Sequence, residues 1–284
     1  DIFCSYCIIP YVRGKVISKK IDDILFEAEQ LISNGYKEIV LTGIHLGAYG
    51  KEMGYQVNII DVLEKLQALP GLERVRLSSI EVNEITDGLI DIIADSDKVC
   101  PHFHLPLQSG DDYILVRMNR KYNSAQYINT LEKIREKLEL PSISTDIMVG
   151  FPGEEREHFE NTLRLCEQAG FSRTHIFPYS PREDTPAAKM PGHCKPSEIK
   201  ARKRELESLT AGTSLRYKKS FIGKNISILV EGTRDKKTGK LCGYSDRYIK
   251  VLFDGTDDLM NEIVDIHIER ALPQFVMGKC LSHG

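Results

Sequence analysis

The sequence predicts an α/β chain in two parts, an incomplete (β/α)6 barrel followed by a small antiparallel β-barrel. Three observations carry this expectation. Apolar residues alternate between strand-like runs and helix-like spacing as far as Tyr179, polar residues of distinctive chemistry stand at the end of each run, and beyond a basic segment the pattern switches to period two.

The elements follow in order. Ser18 is placed to cap a helix whose apolar residues Ile21, Ile24, Leu25, Ala28, Leu31 and Ile32 share one face, with Gly35 as its stop. A buried strand, Glu38–Thr42, comes next. The alternation then repeats as helix 57–68, strand 74–79, helix 84–94, strand 102–107, helix 124–138, strand 142–149, helix 157–169 and strand 174–179. Repeated β-α units impose parallel strands with right-handed crossovers. Five strands are visible, and a sixth is expected upstream of Asp1, before the Ser18 helix. A long helix, 196–218, leads to period-two segments at 225–230, 241–245, 248–253 and 262–268, with turn chemistry at Asp235–Gly239 and Asp254-Gly255. The expected boundaries are a barrel over 1–194, a linking helix over 195–219 and a small barrel over 220–284.

Composition narrows the setting. No apolar run approaches the roughly 20 residues of a spanning helix, so no membrane partner is expected and the chain reads as cytoplasmic. The net charge of −3 conceals a gradient: 21 Lys or Arg against 29 Asp or Glu before residue 195, 8 against 3 over 195–219, and 9 against 9 afterwards. A basic helix joining an acidic body to a neutral tail is a candidate polyanion contact, or simply a solvated face. Of the seven cysteines, Cys100, Cys166, Cys194, Cys242 and Cys280 are scattered without metal-ligand spacing and read mostly as small core hydrophobes.

In parallel α/β folds reactive groups collect beyond the strand C-termini. The loops there carry Cys4 and Cys7, Thr42-Gly43-Ile-His45, Ser78-Ser79-Ile-Glu81, His104 to Gly110, Asp146 to Gly153, and Tyr179-Ser-Pro-Arg182. Each set alone has a structural explanation: a turn glycine, a satisfied histidine, a capping aspartate. Six sets on one rim point to a site. The Cys4-Ser-Tyr6-Cys7 pair by itself fits half a zinc site or a redox pair, although no second cysteine pair stands at zinc spacing.

The motifs together are more specific. Cys4 to Gly14, Glu38 to Gly50, Arg76 to Glu81, His104 to Gly110, Met118-Asn-Arg-Lys-Tyr122 and Asp146 to Glu154 resemble the radical S-adenosylmethionine (SAM) methylthiotransferases over nearly the whole chain. Cys4-Ser-Tyr-Cys7 is similar to the end of their Cys-x-x-x-Cys-x-aromatic-Cys loop, whose remaining cysteine would fall just before Asp1. The resemblance implies a 4Fe-4S cluster on Cys4, Cys7 and that third thiolate, with SAM on the open iron. It also implies a TRAM-like RNA-binding barrel at the C-terminus. A second, sulfur-donating 4Fe-4S cluster is implied in an N-terminal domain that this sequence lacks, so the chain reads as a truncated core. Tyr6 is implied near the adenine of SAM and Gly43 near its amino group, with Ser79 and Glu81 as further polar contacts. Arg182 is implied on the SAM carboxylate or a substrate phosphate.

Leu41-Thr-Gly-Ile-His45 resembles the branch called MtaB, which acts on N6-threonylcarbamoyladenosine beside the tRNA anticodon. The implied partners are the anticodon loop and a reductant protein such as flavodoxin or ferredoxin. For the RNA, Arg202, Lys203, Arg204, Arg216, Lys218 and Lys219 are candidates for phosphates, and Tyr244 and Tyr248 for stacking; Phe253 is favoured as core. Rival readings are an enzyme acting on a ribosomal-protein aspartate and a non-catalytic RNA-binding remnant. One departure from the family pattern is Asp184, where glycine is usual.

Overall fold

The computed structural model describes residues 3–54 and 56–281. Short helix α1 (Ile9–Arg13) lies in the cysteine loop, followed by α2 (Ile21–Ser33). Ser18 does not cap α2. The helix begins after Lys20, with Asp22 and Asp23 in its first turn to offset the exposed N–H groups. Ser18 lies upstream of that turn, where its hydroxyl donates to Glu52 Oε2 at 3.0 Å and accepts from Gly50 N at 2.9 Å.

The five expected parallel strands are present: β1 (Glu38–Leu41), β2 (Arg74–Leu77), β3 (His102–His104), β4 (Ser142–Val149) and β5 (Arg173–Pro178). β1 pairs with β2, and β3 with β4 and β4 with β5, while parallel bridges Val75–Val99 and Ser79–His104 join the two groups. Between them run α3 (Ile59–Gln67), α4 (Asp87–Ala94), α5 (Asp112–Arg117), α6 (Ser124–Lys137) and α7 (Arg156–Ala169). Local signals start these helices. Asn58 with Asp61 and Asn123 with Gln126 form capping boxes, and Thr86 and Asp111 accept from N–H groups of the first turn. α1 and α5 were not legible in the sequence; at five and six residues they are too short for a periodic signal.

The strands divide their side chains between two unlike faces. Ile39, Val75, Leu77, Phe103, Ile143, Ile147 and Val149 pack with Leu63, Leu66, Leu89, Leu131 and Ile134 of the helices in one core. By the alternation of a strand, Glu38, Arg74, Arg76, His102, His104, Ser144, Asp146, Arg173 and His175 occupy the other, polar face. Gly110 lets the loop after β3 press against α7: a Cβ there would lie 2.6 Å from Thr162 Cα.

α8 (Pro196–Lys219) crosses to a closed barrel of β6 (Asn225–Val230), β7 (Leu241–Ser245), β8 (Lys250–Asp254), β9 (Ile263–Ala271) and β10 (Val276–Cys280). β10 was not anticipated. Four of the five strand pairs are antiparallel, and β8 and β10 are parallel. An odd ring cannot alternate direction all the way round, so one seam must be parallel. Phe253 is core, packed with Phe221, Ile228, Val251 and Ile266. Cys100, Cys166 and Cys242 are buried and Cys194 and Cys280 partly so, all as free thiols.

The small barrel docks on the N-terminal ends of the parallel strands, opposite the cysteine loop. Arg76, 1% exposed, holds Glu38 through two bonds of 2.8 and 3.1 Å and donates to Asp246 O at 2.6 Å and Ser245 O at 3.0 Å. Arg74 donates to Tyr244 O and Ser227 Oγ, and Arg247 to Leu140 O.

Candidate active site

The cysteine loop is a tight turn fastened from two sides. Cys7 N donates to Cys4 O at 3.1 Å. Between them, Ser5 N and Oγ donate to Met118 O and Arg117 O at 3.0 and 2.8 Å, and Ala187 N donates to Ser5 O at 2.8 Å. Asn119, in the left-handed conformation at φ 59°, donates from its amide to Phe3 O. Met118-Asn-Arg-Lys-Tyr122 therefore exists to seat the cysteines.

Arg120 in that stretch is the site residue that sequence reasoning missed, although the motif itself stood out. Its buried guanidinium donates to Cys4 Sγ at 3.3 Å, to Tyr122 Oη at 3.0 Å and to Pro106 O at 3.3 Å, and it forms an ion pair with Glu81. Burial works against its charge, but Tyr122, Tyr6, Glu81 and Cys4 around it hold its pKa above the usual arginine range. Burial raises the Glu81 carboxyl, with Arg120 pulling the other way, and burial likewise raises the Tyr6 phenol. The Tyr6 ring packs edge-on against Phe151 at 6.4 Å.

The expected site residues separate into groups. Cys4, Tyr6 and Glu81 come together around Arg120, and Cys7 is tied to Cys4 through the backbone of the turn. Gly43 is exposed in the loop after β1, and half-buried Ser79 bridges to His104, so both share the same rim. Beside them His45 pairs with Glu84, and Gly47 is required there because a Cβ would lie 2.2 Å from Glu84 Oε2. Arg182 stands apart: its side chain is exposed, and its carbonyl accepts from Thr185 Oγ1 at 2.7 Å and Thr185 N at 3.2 Å. Asp184 next to it sits at φ 67°, the backbone conformation that explains why glycine is usual.

A buried thiol facing a permanent cation suits a thiolate metal ligand. Cys4 meets that description, and Cys7, three residues on, is a second free thiol of the same turn. Among the described residues no three His, Cys, Asp or Glu side chains converge on a metal position, and the expected third cysteine, before Asp1, lies outside them. Below the loop the polar face continues inward. His104 Nε2 lies 3.2 Å from Asp146 Oδ2 and its Nδ1 2.9 Å from Ser144 Oγ, with the His175 ring 6.0 Å away.

Among the expected RNA-facing residues, Arg202 needs correction. Arg202 is 9% exposed and bound to Glu154 at 2.6 Å, so it braces α8 against the loop after β4 and cannot meet a phosphate. Lys203 pairs with Glu207 and Arg216 with Glu167. Arg204 and Lys219 are exposed, and Lys218 is half-buried. Tyr248 stays 42% exposed beside the domain junction, with Arg76 4.2 Å from its ring centroid and the His102 ring at 5.1 Å, and Tyr244 packs edge-on against it.

A partial barrel of parallel strands with a cysteine turn at its C-terminal rim defines a class, that of the SAM-cleaving iron-sulfur proteins. Residues 1–166 match the Radical SAM superfamily, and the chain belongs to it. Residues 219–281 match the TRAM domain. The fold is shared with a radical SAM methyltransferase, TsrM from Kitasatospora setae (TM-score 0.54, 16% identity, 65% of this chain and 36% of that one). It is also shared with coproporphyrinogen III oxidase from Escherichia coli (TM-score 0.51, 15% identity, 76% and 50%). Among curated proteins, the chain is 38% identical to a tRNA-2-methylthio-N(6)-dimethylallyladenosine synthase of Alkaliphilus oremlandii over 94% of its length. It is also 38% identical to the threonylcarbamoyladenosine tRNA methylthiotransferase MtaB of Bacillus subtilis over 95%. It spans 56% and 60% of those two relatives.

Proposed function

We propose that this chain is the radical SAM and TRAM portion of a tRNA methylthiotransferase, acting on N6-threonylcarbamoyladenosine beside the anticodon. Relatives of both nucleoside specificities are equally similar, so identity does not choose between them. The observation that carries the choice is the polar face of the sheet. A dimethylallyl group asks for an apolar pocket, whereas a threonylcarbamoyl group brings a carboxylate, a hydroxyl and a urea. The face beneath the cysteine loop offers His104, Asp146, Ser144 and His175, which suit the second.

The chain's own residues then have definite work. Cys4 and Cys7 would hold two corners of the cluster, and Arg120 would hold Cys4 in place while neutralising its charge. Bound there, the cluster and SAM would supply the one-electron chemistry that opens the adenine C–H bond; a further cluster outside this chain would supply sulfur. Gly43, Ser79 and the rim pair His45 and Glu84 would orient SAM, and the enclosed rim would exclude water from it.

The test is methylthiolation by the full-length protein, reconstituted anaerobically, of stem-loops carrying either threonylcarbamoyl- or dimethylallyladenosine and of a ribosomal-protein segment. Product on the threonylcarbamoyl stem-loop alone is expected. Product on the prenylated stem-loop or on the protein segment would overturn the reading.

A further inference from the structure

Three basic side chains of α8 have a carboxylate, Arg202, Lys203 and Arg216, and among the described residues two cations beside its end, Lys218 and Arg173, have none. Lys218 is half-buried, yet among the described residues its Nζ donates only to Ser214 Oγ, at 2.6 Å. Ser214 in turn donates to Ser172 O at 2.7 Å, which brings the Lys218 ammonium to the start of β5, beside Arg173. Arg173 makes no ion pair among the described residues, although Arg202, Lys203 and Arg216 on the neighbouring helix are each matched. Half-buried lysines ordinarily have an anion nearby, and two adjacent cations without one repel each other.

The pair has an orientation. Arg173 stands in register with Ser144, on the polar face. Its charge is felt by both neighbours: burial, then Arg173, lowers the Lys218 ammonium and the His175 imidazole. Two residues beyond His175, Phe177 is 49% exposed, with its ring parallel to the imidazole at 12° and 6.4 Å between centroids. Along one edge strand the sequence thus presents a cation pair, an imidazole and an open aromatic face.

We infer that Arg173 and Lys218 form a binding site for a backbone phosphate of single-stranded RNA, whose neighbouring base stacks on Phe177. The site supplies the missing counter-charge with a phosphodiester, and the row of rings along β5 leads the strand toward the rim. Guanidinium and ammonium donors together suit a phosphate oxygen pair. The inference rests on the RNA-directed function proposed above and adds the place where the backbone is gripped.

The experiment is fluorescence-anisotropy binding of an anticodon stem-loop to the full chain across a salt series. Arg173→Gln, Lys218→Gln, their double variant and Phe177→Ala are compared with Lys236→Ala on an exposed turn. Each lost phosphate contact is expected to reduce the slope of log affinity against log salt by about 0.7. The double variant, which gives up the one phosphate the pair grips, should therefore lose about 0.7 of slope and neither single variant more than that, while Lys236→Ala keeps the parent slope. Phe177→Ala should weaken binding with the slope intact. Unchanged slopes in variants that keep the parent melting temperature would overturn this inference alone; no stem-loop binding by the parent chain would overturn the RNA-directed reading as well. Lys218→Arg guards against a folding defect, because restored slope in that variant requires a cation and not merely a packed side chain.

Discussion

Arg120 is the residue on which the site turns, because it bonds at once to a cysteine, a carboxylate and two backbone-tethered groups. Replacing it by methionine leaves the Glu81 carboxylate buried without its partner. Removing one member of a buried pair costs about 3–5 kcal/mol. Arg120→Met is therefore expected to lower the denaturant midpoint strongly, and adding Glu81→Leu should recover part of the loss; equal stability of the single variant and the parent in urea titrations would contradict this. The residue was legible as part of Met118-Asn-Arg-Lys-Tyr122 but not as a site residue. Its partners come from three loops distant in sequence, and a one-dimensional pattern carries no record of which loops meet. Cys4 and Cys7 were legible for the opposite reason, since their spacing is local.

The parallel strands were legible because their helix-facing sides are continuous apolar runs, and the helices because capping residues mark where they start. The polar face was less so. Alternation identifies which residues share a side, but it does not say that the barrel would keep that side polar to house a substrate. His102 shows the consequence for pH. Burial, followed by the charges of Arg76, His104 and Arg173, depresses its pKa to about 3. In the unfolded chain the imidazole takes up its proton near pH 6.5, so the unfolded state binds more protons between those values. Stability from this group is complete above pH 6.5 and falls as pH drops toward 3, by up to about 1.4 kcal/mol per pH unit. His102→Gln should flatten the stability profile over that window relative to the parent, measured by urea unfolding at successive pH values. β10 escaped notice because Val276–Cys280 is a short segment with a weak alternation, and its place is fixed by the need to close a five-membered ring.

At the scale of the molecule, buried charge joins the two domains. Arg76 alone bonds across to Asp246 O and Ser245 O and stacks on Tyr248. Arg76→Met would leave Glu38 with the more distant Arg74 alone and take from Asp246 O its arginine donor, so the single thermal transition expected of the parent should split into two, with the small barrel melting separately. A single transition at the parent temperature in calorimetry would refute that coupling.

The docking geometry has a further consequence. The small barrel is fixed at the N-terminal ends of the strands and the cysteines at the opposite rim, with the eight residues of β4 between them. That strand spans about 26 Å at roughly 3.3 Å per residue. On the proposed reading, a nucleic acid held at one end meets chemistry only where its own contour covers that length. The molecule then works as a caliper, choosing its nucleotide by distance from the grip before any base is read.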